Sequence, residues 1–126
     1  MQPFYDELNA HEFKGRVSVP ITWGKMPSSR RRRRSIRFGS YSSEDKLIRV
    51  HPALDQAFVP AFFVRYIVFH EMLHAYFDAT DTDGKRAHSA EFRKRERAYS
   101  DYARAVAWQA NASNLRKVLG PISGDR

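Results

Sequence analysis

The chain has 126 residues, no cysteine and a formal net charge of +8. That length suits one domain with a modest core, and the missing cysteines exclude a disulfide framework and any thiolate metal site. Five of the positive charges form one block, Arg30 to Arg34, and the rest of the chain nets only +3, so the basic character is local.

The first residues, Met1-Gln2-Pro3-Phe4-Tyr5-Asp6-Glu7, show no basic n-region and no apolar h-region. The expectation is therefore a cytoplasmic protein without a signal peptide. Residues 4–13 read as a short helix with Phe4, Leu8 and Phe13 facing inward. Val17 to Trp23 alternates apolar and polar residues and reads as a strand, with Pro20 hinting at an edge or bulge. Residues 24–34 form a loop that carries the arginine block. Ser35 to Tyr41 and Leu47 to His51 read as two further strands around a Ser42-Ser43-Glu44-Asp45 turn, so residues 36–50 predict a β-hairpin. A long apolar run then begins at Pro60, a favourable first-turn residue. Phe62, Tyr66, Phe69, Leu73 and Tyr76 recur at helical spacing, and only Arg65, Glu71 and Asp78 are charged between Pro60 and Asp78. That pattern predicts a buried helix over about 60–78, too short and too interrupted to span a membrane. A polar loop over 78–85, a helix from an N-cap at Ser89 to Tyr99, and a last helix from about 100 to 119, stopped by Gly120-Pro121, complete the chain.

Inside the buried helix, residues 70–74 read His-Glu-Met-Leu-His. Residues four apart on a helix are about 40° and about 6 Å from each other. Two imidazoles at that spacing can converge on one tetrahedral Zn²⁺. The intervening Glu71 then lies beside the open metal position, where it can take a proton from water. His70, Glu71 and His74 would also be costly in an apolar helix unless something satisfies them.

A catalytic zinc needs a third protein ligand. His88, 14 residues beyond His74, is the first candidate, because the polar loop lets the chain reverse toward the metal. Glu91 and Glu96 on the following helix are the alternatives. Asp78, one turn past His74, is a candidate to accept a hydrogen bond from a ligand imidazole. His11 and His51 read as surface or strand-end residues. Tyr99, Tyr102 and Arg97 are candidates by type for stabilising an oxyanion.

Three segments together, Ile48-Arg49-Val50-His51-Pro52-Ala53-Leu54-Asp55, His70-Glu71-Met72-Leu73-His74-Ala75 and His88-Ser89-Ala90-Glu91-Phe92, resemble the SprT-like zinc metallopeptidase domain. The resemblance covers roughly residues 15–100. The later H-x-x-x-F, His88 with Phe92, points to this branch among zincins. It implies zinc bound by His70, His74 and His88, with Glu71 as general base. Ser89 stands where the family usually has Gly, and the cysteine-rich ribbon that follows the domain in many members is missing. The chain is also similar to the minigluzincins, whose third ligand is a glutamate. In such small families a terminal segment can hold the enzyme latent, which here would place residues 100–126 over the cleft.

The resulting expectation is an α+β, single-domain zincin-like fold over residues 1–126. A small, mainly antiparallel three-stranded sheet packs on the motif helix, followed by C-terminal helices. The expected activity is a metalloendopeptidase with one Zn²⁺ per chain, acting on a protein or peptide substrate. The alternative is a zinc-bound binding or regulatory module without catalysis. Hydrolysis of a non-peptide substrate is a third reading. Arg30, Arg31, Arg32, Arg33 and Arg34 read either as a solvated loop or as a phosphate-neutralising contact to nucleic acid. An acidic protein or membrane surface would serve such a block as well.

Overall fold

A computed structural model of the chain describes residues 1–24, 37–80 and 90–123. The order of elements is α1 (Gln2–Glu12), β1 (Ile21–Trp23), β2 (Gly39–Ser42), β3 (Leu47–Val50), a 3₁₀ turn (Pro52–Leu54), α2 (Ala61–Thr80), α3 (Ala90–Ala98), α4 (Tyr102–Ala110) and α5 (Ala112–Ser123). The expected strand start at Ser35 and Ile36 lies outside the described residues, as do most of the expected loops over 24–34 and 78–85. The architecture is α+β, with one hydrophobic core between the sheet and the helices.

The helix α2 is the axis of that core. Phe63, Val68, Met72 and Leu73 have no exposed surface, and Phe69 almost none. A helix this apolar must be covered over most of its surface, and here it is packed from several sides. On one side, α1 and the residue after it contribute Phe13, whose ring lies 5.7 Å from Phe69 and 5.6 Å from Tyr76. On a second, the residue before β2 contributes Phe38, edge-on to Phe63 at 5.4 Å. On a third, α4 brings Trp108 to 4.5 Å from Phe63. Among the described residues, no helix is long and apolar enough to cross a membrane.

The sheet order is β1-β3-β2, and its central strand alternates as a half-buried strand should. Ile48 and Val50 are fully buried, while Arg49 between them is exposed. The expected hairpin is present, with β2 antiparallel to β3 from Gly39 opposite Val50 to Ser42 opposite Leu47. The sheet is mixed, not mainly antiparallel, because β1 joins β3 in parallel, Ile21 opposite Ile48. Side chains of α1 explain the shortness of β1. Asn9 donates to the Val17 carbonyl (2.7 Å) and accepts from the Val17 N–H (3.1 Å), and the Tyr5 hydroxyl donates to the Val19 carbonyl (2.5 Å). Backbone groups that a strand partner would have used are taken by a helix. The chain reaches β3 only at Pro20, whose carbonyl accepts from the Ile48 N–H at 3.0 Å.

His51 ends β3 as expected and caps the 3₁₀ turn, its Nδ1 accepting from the Ala53 N–H at 3.0 Å. The helix expected over 100–119 is two helices. Asn111 leaves the helical region with ψ 114°, and its Oδ1 accepts from the N–H groups of Ser113 (2.9 Å) and Asn114 (3.3 Å), starting α5. α5 runs past Gly120-Pro121 to Ser123. It continues only two residues beyond Pro121, which lacks the N–H that a helical residue donates four positions back. Val118 of α5 is buried, and its carbonyl accepts from Gln56 at 3.3 Å, which docks α5 beside the 3₁₀ turn.

Candidate metal centre

His70, Glu71 and His74 lie in the middle of α2. The two imidazoles stand edge to face, with ring centroids 5.0 Å apart. Two imidazoles that share one tetrahedral ion through bonds of about 2.0–2.1 Å have centroids about 5 Å apart. The ring separation of the pair is therefore compatible with a shared zinc. Both residues keep partial exposure, as an open metal position requires. Among the described residues, no group of three metal-ligating side chains is assembled. His88, Ser89 and the arginines at 30–34 lie outside the described residues.

Glu71 differs from the histidines in being buried, at 5% exposure. Burial pushes its carboxyl up to about 7, against the pull of His70 and Arg37. The cause of the burial is the sheet edge. β2 begins at Gly39, and a Cβ there would lie 2.9 Å from Glu71 Cγ and 3.0 Å from Glu71 Oε2. Only a residue without a side chain lets the strand come this close.

The helix α3 runs back along α2 and covers the motif. Its inward face is Phe92 and Glu96, four residues apart, continued by Tyr99 just past its end. Phe92 is 1% exposed and touches both imidazoles, at 4.7 Å from His74 and 5.3 Å from His70. This gives the aromatic of H-x-x-x-F a physical role, since it walls the histidine pair from one side. One turn on, Glu96 Oε2 lies 2.5 Å from His70 Nδ1 and accepts from the Tyr66 hydroxyl at 2.8 Å. Burial, followed by this bond, pushes the Tyr66 phenol well above its usual range. Tyr99 stacks on Phe69 at 4.3 Å.

The other candidates fall as follows. Glu91 points to solvent on α3, so of the two glutamates only Glu96 faces the motif. Asp78, a candidate equally for an imidazole partner and for a plain surface or helix-end role, accepts from the Tyr41 hydroxyl (2.7 Å) and from Lys46 Nζ (3.0 Å). It pins the end of α2 to the hairpin, and Glu96 is a carboxylate that meets the motif histidine His70. Tyr99 belongs to the core, Tyr102 packs edge-on to Tyr66 at 6.1 Å, and Arg97 is exposed. Sequence reasoning passes over Gly39 and Tyr66. A glycine inside a strand pattern and a tyrosine one turn before His70 are the signals that point to them.

The model of the SprT-like family matches residues 1–114. The chain belongs to the SprT-like family. SprT-like domains are zincin-like, metallopeptidase-type domains and are generally zinc-associated. The match is wider than the 15–100 expected from the motifs, and takes in α1 and α4, the helices that cover α2 on two sides. Comparisons with curated proteins and with solved structures give no match.

Proposed function

We propose that the protein is a zinc-dependent endopeptidase in which His70 and His74 hold the metal, His88 completes the ligand set and Glu71 is the general base. The observation that carries this reading is a buried carboxyl, Glu71, next to a pair of imidazoles whose separation matches a shared tetrahedral ion. When bound, the zinc ion acidifies a water and polarises a carbonyl.

This chain's own residues supply the rest. Glu71 takes a proton from the attacking water and delivers it to the amine nitrogen that leaves. Burial raises the proton affinity of its carboxyl, which favours taking that proton. Gly39 and Ile67 pack where β2 meets the Glu71 side chain, so its position is set before substrate arrives. β2 is the edge of the sheet next to Glu71, and its backbone can pair with an extended peptide. A peptide added there would run past the carboxylate.

The test is cleavage of an unstructured protein such as reduced casein. Activity should disappear on chelation and return with stoichiometric zinc. A protein that binds one zinc and cleaves no peptide under any condition would favour the non-catalytic module.

A further inference from the structure

We infer that Glu96 is a positioning residue that fixes the tautomer of His70, with Tyr66 as its support, and is not the third metal ligand. The inference rests on the metal site proposed above.

An ionised carboxylate only accepts hydrogen bonds, so a Glu96 oxygen 2.5 Å from His70 Nδ1 requires the proton to sit on Nδ1. The lone pair is then on Nε2, across the ring. That is the nitrogen left to bind a metal. A tetrahedral ion at Nε2 is out of reach of an oxygen bonded to Nδ1. Two donors of one tetrahedral zinc lie more than about 3 Å apart, whereas Glu96 Oε2 and His70 Nδ1 stand at hydrogen-bond separation. The Tyr66 hydroxyl donates to the same Oε2 at 2.8 Å and so helps to hold the carboxylate in place.

Placement along the helices explains the relay. Tyr66 and His70 are one turn apart on α2, and Phe92 and Glu96 are one turn apart on α3. With the helices antiparallel, Phe92 packs on the rings of His70 and His74 while Glu96 falls between His70 and Tyr66. At 14% side-chain exposure, Glu96 is sheltered enough for the bond to be strong. An imidazole with a carboxylate behind it is a better metal donor, and loss of such a partner costs about 10–100-fold in metal affinity.

The experiment measures zinc affinity by chelator competition, and the visible spectrum of the cobalt-substituted protein, for the wild type, Glu96→Gln, Tyr66→Phe and His88→Ala. Thermal melting of each apo variant controls for folding. Glu96→Gln should bind one zinc with about 10–100-fold lower affinity and keep the wild-type cobalt band shape. Tyr66→Phe should lose about tenfold or less. Nitrogen-15 spectra of the zinc-loaded wild type should show a proton on His70 Nδ1 and none on Nε2. Unchanged affinity in Glu96→Gln, or a proton on Nε2, overturns the inference. A changed cobalt coordination in Glu96→Gln, with none in His88→Ala, overturns it in favour of Glu96 as ligand. Failure of the wild type to bind zinc at all would instead remove the metal site itself, and the two failures are thereby distinct. Should Glu96→Gln fail to fold, Tyr66→Phe and the wild-type nitrogen spectrum decide.

Discussion

Gly39 stands where any larger residue would collide with Glu71. A Cβ at Gly39 would meet Glu71 Cγ at 2.9 Å and Ile67 Cγ2 at 2.9 Å. Real Cβ atoms do not approach so closely, so Gly39→Ala must push β2 or the Glu71 side chain aside. Overpacking of this kind costs about 1–3 kcal/mol. The expected outcome is a lower melting temperature and a larger loss in kcat than in zinc binding. His70 and His74 are not what the added methyl touches, so the metal should remain. Parallel measurement of zinc stoichiometry, melting and peptide cleavage checks this. Full activity in Gly39→Ala would show that the close approach is without consequence for the base.

Phe92 offers a second handle, because it is buried against both imidazoles. Phe92→Ala should cost about 3–5 kcal/mol, the usual range for a buried aromatic. It should also loosen the histidine pair, so that zinc affinity falls even in molecules that remain folded. Phe92→Leu keeps most of the volume and should recover much of both. Denaturant unfolding with and without zinc separates the two effects, since bound metal stabilises only as far as it is bound.

Asp78 ties stability to pH. The bonds from Tyr41 and Lys46 hold its carboxyl below the ordinary carboxylate range. A carboxylate with a depressed folded value stabilises above the unfolded value, about 3.9, and that contribution is lost as pH falls through the folded value. Asp78→Asn should therefore lower stability at pH 7 and make little difference in strong acid. Lys46 is 62% exposed, so screening keeps its share small, and the whole effect should be about 1 kcal/mol. Melting curves from about pH 7 down to about pH 2 test it, a range that spans the carboxylate titration. A deficit in Asp78→Asn that grows in acid would contradict it.

Much of this was legible along the chain, for identifiable reasons. The helix α2 carries its evidence locally, because a long apolar run has nowhere to be but inside. The alternation of Ile48, Arg49 and Val50 likewise marked β3. What escaped were features decided by distant partners or by one side chain. The start of β1 depends on Asn9 and Tyr5 capturing the Val17 and Val19 backbone. The break between α4 and α5 depends on Asn111 capping its own successors. Glu96 as a partner of His70 depends on α3 turning back along α2, which spacing within either helix does not reveal. Asp78 had the right chemical type, but the hairpin reached it first.

The arginine block makes a separate prediction. We propose that Arg30–Arg34 contacts the phosphates of nucleic acid, on the strength of five clustered charges. Neutralising about five phosphates gives a slope of log affinity against log salt of about −4 to −5 on duplex DNA. Replacing all five arginines with serine should abolish most of that slope and leave cleavage of a short peptide unchanged. Equal affinity and equal salt dependence in the variant would remove nucleic acid as a partner of this segment.

The most direct measurement is zinc content and peptide cleavage in Glu71→Gln, made side by side with the wild type. The amide keeps the shape of the buried side chain but cannot accept a proton from water. One zinc per chain should remain, with cleavage falling by about 10²-fold or more. A Glu71→Gln variant that holds zinc and cleaves at the wild-type rate would contradict the assignment of Glu71 as the base.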